Sequence, residues 1–198
     1  MTPMAKLLTR DDLYPLEKYL EMRTDMRSKV MVHKKSRNLP IGPNVTLYFE
    51  DRLTIQYQIQ EMLRAEKIFD AEGIQEELDT YNPLIPDGKN WKGTMMIEFT
   101  DVDERIAALA QLIGIDRQTW VKVDGFDKIF AISNEDLERE TEEKTSAVHF
   151  MRFELKPEMI KAAKNGAAIS VGIDHENYLH SVDPVPENFR EALVNDLG

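Results

Sequence analysis

Hydrophobic and polar positions alternate through the first half of LTIQYQIQEMLRAEKIF, residues 53–69, as in a half-buried strand. Leu53, Ile55, Tyr57 and Ile59 stand against Thr54, Gln56, Gln58 and Gln60, while the part from Glu61 onward reads only as helix. A strand running straight into a helix needs a chain break, and no glycine or proline lies between Val45 and Glu72. A helix from about Glu50 needs no break. It places Glu50 and Asp51 at its positive end and fills its interior with good helix formers. Around such a helix Ile55, Ile59, Met62, Leu63 and Phe69 form one apolar arc, and Leu53, Tyr57 and Ile68 a second. The alternation is what a helix with two buried faces gives over a short span, and the spacing predicts a continuous helix over 51–69.

The same reading extends along the chain. Leu8, Thr9, Asp12 and Leu13 resemble a hydrophobic staple around a capped N-terminus, and Pro15 kinks or restarts the helix there. Leu16, Tyr19, Leu20, Met26 and Val30 keep helical spacing to about Arg37, where NLPIGPN (38–44) breaks it before the short strand VTLYF. Gly73 is expected to end the central helix, followed by a short helical turn and a loop over 80–93. Fourteen residues without periodicity is long for such a loop, and loops of that kind are often functional. Its expected contact-making side chains are Tyr81, Asn82 and Trp91.

The second half is strand-rich. TMMIEF (94–99) reads as a strand, and Thr100 with Asp103 caps a helix ending at Gly114. TWVKV and KIFAI flank DGFD as a hairpin. Ser133 and Asp136 are expected to cap an acidic helix. SAVHFMRFEL (146–155) is the longest strand, with Val148, Phe150 and Arg152 on one face and His149, Met151, Phe153 and Leu155 on the other. Pro157 opens a helix that Gly166 closes, AAISVGID is the last strand expected, and Pro186 opens a terminal helix. The whole is expected to be α+β and a single domain over 1–198: a helical N-terminal layer to about residue 80, with one long central helix packed on a mostly antiparallel sheet.

Polar residues on the central helix's apolar arc raise the first functional question. Arg52, Gln56 and Glu66 sit there, and Arg52 and Glu66 are about 21 Å apart along the axis, so they cannot pair with each other. Either a neighbouring helix supplies ion-pair partners or the helix lines a polar pocket.

Composition bounds the function classes. No window of the 198 residues is apolar enough to span a membrane, and the opening MTPMAKLLTRDD is too short and too soon acidic for a signal peptide. Zero cysteines exclude thiolate catalysis, disulfides and cysteine-held zinc or iron–sulfur clusters. A cytoplasmic protein is the expectation. A net charge of −11 argues against nucleic-acid binding. The charge is segregated, however. RSKVMVHKKSR (27–37) holds Arg27, Lys29, Lys34, Lys35 and Arg37 without an acid, whereas NEDLERETEE (134–143) carries six acids, including Glu142 and Glu143, and one arginine. Solvated helix faces and partner-docking poles are both open readings of these runs.

LYFEDRLTIQYQIQEMLRAEKIFDAEGIQEELDTYNPLIPDG, MMIEF and EEKTSAVHFMRFEL together resemble a bacterial family known as domain of unknown function 3501, and the likeness covers essentially the whole chain. The family has no assigned activity and carries no catalytic residues over. The resemblance implies a setting beside rubrerythrin-like proteins and iron–sulfur oxidoreductases of the heterodisulfide-reductase type, hence peroxide defence or electron transfer.

Familiar catalytic patterns are missing from the sequence: no phosphate-binding glycine loop, no G-x-S-x-G, no H-E-x-x-H and no paired E-x-x-H. Two functions of different class remain. One is a non-catalytic accessory protein that binds a protein partner of a redox system. It would orient through Lys34, Lys35 and Arg37 at one pole and Glu142 and Glu143 at the other, with Trp91 as a contact. The other is a mononuclear iron, manganese or zinc site, or a metal-dependent enzyme, built from His149, His175 and His180 with Asp174 or Glu176.

Overall fold

The computed structural model describes residues 6–198; positions 1–5 of the opening apolar patch lie outside the described residues. Helix α1 (Leu16–Lys34) begins directly after Pro15, which restarts the chain behind a single 3-10 turn at Arg10–Asp12. Strands β1 (Asn38–Ile41) and β2 (Val45–Phe49) then form an antiparallel hairpin. The break expected over 38–44 is therefore half strand. Pro40 is tolerated because β1 is an edge strand, where the missing N–H interrupts no ladder.

The ambiguous stretch is helical. Helix α2 spans Arg52–Glu66, with Asp51 accepting from Thr54 N at 2.9 Å and Thr54 Oγ1 accepting from Asp51 N at 2.9 Å. It stops three residues short of the expected end. Lys67 adopts the left-handed conformation (φ 54°) without being glycine, and the N–H of Ile68 returns to Leu63 O. Phe69, expected on the buried arc, is turned out and 69% exposed. Gly73 does not end a helix. It lies inside α3 (Ala71–Tyr81), N-capped by Asp70, and a β-carbon there would meet Ile68 Cγ2 at 2.7 Å. Close packing of α3 on the preceding turn, rather than termination, calls for glycine.

After a 3-10 turn at Asn82–Leu84 comes β3 (Asn90–Ile97), so the loop expected over 80–93 is shorter, and Trp91 belongs to a strand. Helix α4 (Val102–Gln111) is capped by Asp101, not Thr100, and stops ahead of Gly114. Strands β4 (Thr119–Val123) and β5 (Ile129–Phe130) pair across the expected turn, where Gly125 has φ 88°. The chain then crosses to β6 (Ile132–Ser133). No helix forms over 134–143; that segment is irregular, closed by a bridge between Glu140 and Thr145. Strand β7 (Val148–Glu154) and helix α5 (Pro157–Lys164) match expectation. Strand β8 (Ile169–His175) is not the last, for it turns into β9 (Tyr178–Val182) before α6 (Glu187–Asn195).

The fold is α+β, with two antiparallel sheets ordered β1-β2-β3-β7-β6 and β5-β4-β8-β9. Their inner faces share one core with α5 and α6, built from residues such as Leu47, Phe49, Trp91, Phe153, Val171, Ile173 and Leu193. The Trp91 indole donates to Leu193 O at 2.8 Å, and the Tyr178 hydroxyl donates to Ile41 O at 2.6 Å while accepting from Asn44 N and Val45 N. The N-terminal helices hold separate small cores, around Ile55, Ile59 and Leu78 and around Tyr19 and Tyr57. The outer face of the five-stranded sheet stays half-exposed, and the site lies there.

Candidate functional site

Strict alternation on β2, β3 and β7 sends one set of side chains inward and the other out. Cross-strand register groups the outward set into rows. Tyr48, Thr94 and Phe150 form one, Thr46, Met96 and Val148 the next, and Lys92 stands opposite Arg152 in a third. A groove of about 630 Å³ lies over this face, walled on one side by the end of α3 and the turn after it (Asp79–Leu84) and on the other by Glu135–Arg139. Both features singled out from the sequence, the 80–93 region and the acidic run, thus flank one groove.

Charge is arranged across its floor. Arg152 donates through Nε and Nη2 to Glu135 at 3.0 and 2.8 Å, and through Nη1 to Glu154 at 2.7 Å. The guanidinium holds the Glu135 carboxyl below the usual carboxylate range. Arg139 clasps Asp136 and lies 4.5 Å from the Phe150 ring centroid. Lys92 Nζ donates to Pro83 O at 2.6 Å, and burial, with Arg152 opposite, depresses its pKa. Apolar Leu84, Leu137 and Tyr81 complete the lining. Such a surface suits an amphipathic segment. Of the residues predicted from sequence, only Tyr81 lines it; Asn82, in the same wall, bonds to Leu8 instead. The signal that could have found Phe150 and Arg152 is the alternation of 148–155.

The other predicted residues have other work. Arg52 is not buried: at 37% side-chain exposure it pairs with Asp12 at 2.7 Å and donates to Lys6 O. Gln56 donates to Asp12 O, and the fully buried Gln60 clamps both backbone groups of Tyr14. Glu66 is exposed. Arg52, Gln56 and Gln60 therefore tie down the N-terminal segment, and Asn82 does the same by exchanging two 2.9 Å hydrogen bonds with Leu8.

Arg37 is not a docking residue. It is 3% exposed and makes a bidentate pair with Asp196, with Nε 3.1 Å from Asp51 Oδ2, close enough for charge attraction but not aligned as a hydrogen bond. His33 bonds the same Asp51 carboxylate at 2.5 Å. Trp91 is fully buried and offers no surface. Lys35, Glu142 and Glu143 are exposed, and Lys34 is half-buried over the Tyr57 ring at 5.7 Å.

The histidines are dispersed. His149 is fully buried, with Nδ1 bonded to Asn134 Nδ2 at 2.8 Å and Nε2 to Thr145 Oγ1 and Ser146 O at 3.0 and 2.9 Å; burial holds its imidazole below the usual range. Asn134 also reaches Asp116, which accepts from Ser133 Oγ. His175 bonds Ile113 O through Nε2 and accepts from Asn177 N, while the exposed His180 packs on Tyr178. Asp174 accepts from Trp120 Nε1 and Lys128 Nζ. These donors outweigh partial desolvation and hold its carboxyl below the usual range. Asp174, His175 and Glu176 do share a small cleft with Arg117. Among the described residues, no three His, Asp or Glu side chains converge as a metal ion would require. No helix among them is long and apolar enough to cross a membrane.

The family described as "Protein of unknown function (DUF3501)" matches residues 7–197 of the chain. The fold is also that of a crystal structure of a novel protein of unknown function from Burkholderia pseudomallei, at a TM-score of 0.93 and 47% identity, over 98% of this chain and 100% of that one. No curated protein matches the sequence.

Proposed function

From the premise that this chain belongs to the DUF3501 family, we propose that it is a non-catalytic partner-binding protein of a bacterial redox or peroxide-defence system. The observation that supports this reading is the groove on the outer sheet face, where an aromatic floor and paired charges are left half-exposed between the helical end of α3 with its following turn and the irregular 135–139 segment. Interfaces of this kind draw affinity from a few central aromatic and arginine contacts and orientation from surrounding charge. Exposed Lys35, Glu142 and Glu143 are the further charges that would orient a partner by long-range attraction. The redox setting rests on the family resemblance read from the sequence.

Surface plasmon resonance against rubrerythrin-like proteins and iron–sulfur oxidoreductases tests the proposal. Binding should weaken roughly 10-fold or more in Phe150→Ala, as for central aromatic anchors. Its on-rate should fall with added salt and on charge reversal at Lys35 or at Glu142 and Glu143. Absence of binding to all of them, or binding indifferent to Phe150 and to salt, defeats the reading.

A further inference from the structure

Lys92 and Arg152 face each other directly across β3 and β7, on the same outer face. Like charges in that relation destabilise a strand pair unless counter-charge is at hand. Arg152 has it twice over, in Glu135 and Glu154. Lys92 does not. Among the described residues its ammonium hydrogen-bonds to the Pro83 carbonyl, and no carboxylate lies within ion-pairing distance. A half-desolvated ammonium beside a guanidinium, hydrogen-bonded to a carbonyl and reached by Asp87, Glu154 and Glu135 only at longer range, gains more from an anion arriving in direct contact than a solvated lysine would.

The counter-charge on Arg152 is also replaceable. Glu135 belongs to the irregular segment after β6, and its side chain is 54% exposed while that of Arg152 is 27% exposed. An incoming carboxylate could bridge both cations where Glu135 now holds one. The surroundings select among anions. Asp79 and Asp136 on the walls repel a polyanion, whereas Phe150 and the 55% exposed Leu137 favour apolar groups next to a single charge.

We propose that Lys92 and Arg152 form a carboxylate-binding subsite, which takes an acidic side chain from an amphipathic segment of a protein partner and displaces Glu135 as the internal counter-ion. This deepens the partner-binding reading and rests on it. The probe is a dye-labelled peptide alternating leucine and glutamate, followed by fluorescence anisotropy, with a leucine–glutamine peptide as its counterpart. The glutamate peptide should bind saturably. Lys92→Gln should weaken it roughly 10-fold, the scale of one charged hydrogen bond, and Lys92→Arg should restore most of the loss. Glu135→Gln should tighten binding several-fold, which a merely structural role for Glu135 would not produce. Equal binding of the glutamine peptide, indifference to both Lys92→Gln and Glu135→Gln, or equally potent competition by inorganic phosphate overturns the subsite. If natural partners still bind through Phe150 but ignore Lys92→Gln, the subsite falls and the partner-binding reading stands; if neither partner nor peptide binds, both fall.

Discussion

Arg37 and Asp196 form a bidentate ion pair, Nη1–Oδ2 2.9 Å and Nη2–Oδ1 2.8 Å, that joins the end of the first helix to the end of the last across 159 residues. Both side chains are nearly sealed from water, at 4% and 8% exposure. Removing one partner leaves the other charge buried and uncompensated, so Arg37→Ala should cost about 3–5 kcal/mol. Arg52→Ala, which breaks a partly exposed pair, should cost under about 1 kcal/mol. Denaturant unfolding of both variants checks the contrast, and comparable losses would contradict it.

Glu50 accepts from Thr54 Oγ1 at 2.5 Å and Thr94 Oγ1 at 3.0 Å, and burial raises its pKa. A carboxyl with a raised folded-state pKa stabilises the fold below its unfolded value, and loses that contribution as pH rises through the folded one. Glu50→Gln should therefore match or exceed the wild type in stability at pH 8, with the difference shrinking toward pH 4. A clearly less stable variant at pH 8 would mean that the carboxylate itself is needed.

His149 should make the segment behind the groove acid-sensitive. Its ring holds Asn134 near one end of the 134–147 segment and Thr145 and Ser146 near the other, and burial depresses its pKa. The folded state then binds the proton more weakly than the unfolded chain. Stability is complete above the unfolded value of about 6.5 and declines as pH falls through the folded one. Hydrogen exchange of 134–147 should accelerate on acidification before that of β3 or β7 does. Uniform exchange between pH 7 and 5 would remove the expectation.

Gln60 Oε1 accepts from Tyr14 N at 2.6 Å and its amide donates to Tyr14 O at 3.3 Å, with no exposed surface. Gln60→Ala strands these backbone groups and should cost about 1–3 kcal/mol, freeing the segment before α1. Limited proteolysis near Tyr14 should become faster in the variant. Unchanged cleavage would show that the clamp is dispensable.

At the groove, Asp12 offers no help, but it reports on the same N-terminal tether. Hydrogen bonds from Thr9 and Arg52 lower its pKa to about 2. A depressed carboxyl contributes stability above its unfolded pKa and loses it as pH falls toward the folded value. Its carboxyl resonance should titrate near 2 in the wild type and move upward in Arg52→Ala. A wild-type midpoint near 4 would argue that the pair does not persist in solution.

The sequence by itself determined what depends on near neighbours. The helical nature of 52–66, the paired strands of the 119–130 hairpin, the two faces of β7, and the starts of α5 and α6 at prolines all follow from periodicity and caps within a few residues. The α+β class followed from their order. Other features rest on contacts distant in sequence. Arg37 reads as one more cation of a basic run until Asp196 closes on it, and Trp91 as a loop aromatic until Leu193 accepts its N–H. Gly73 reads as a stop until Ile68 is seen to fill the space above it. Phe150 and Arg152 were visible as one face of a strand, but their pairing with Thr94 and Lys92, and the walls at Asp79–Leu84 and Glu135–Arg139, required the strand register and the packing around it. Local pattern fixes which way a side chain points, because that is set by backbone geometry; what it meets there is set by which distant segments can bury their apolar faces together, and only the tertiary structure decides that.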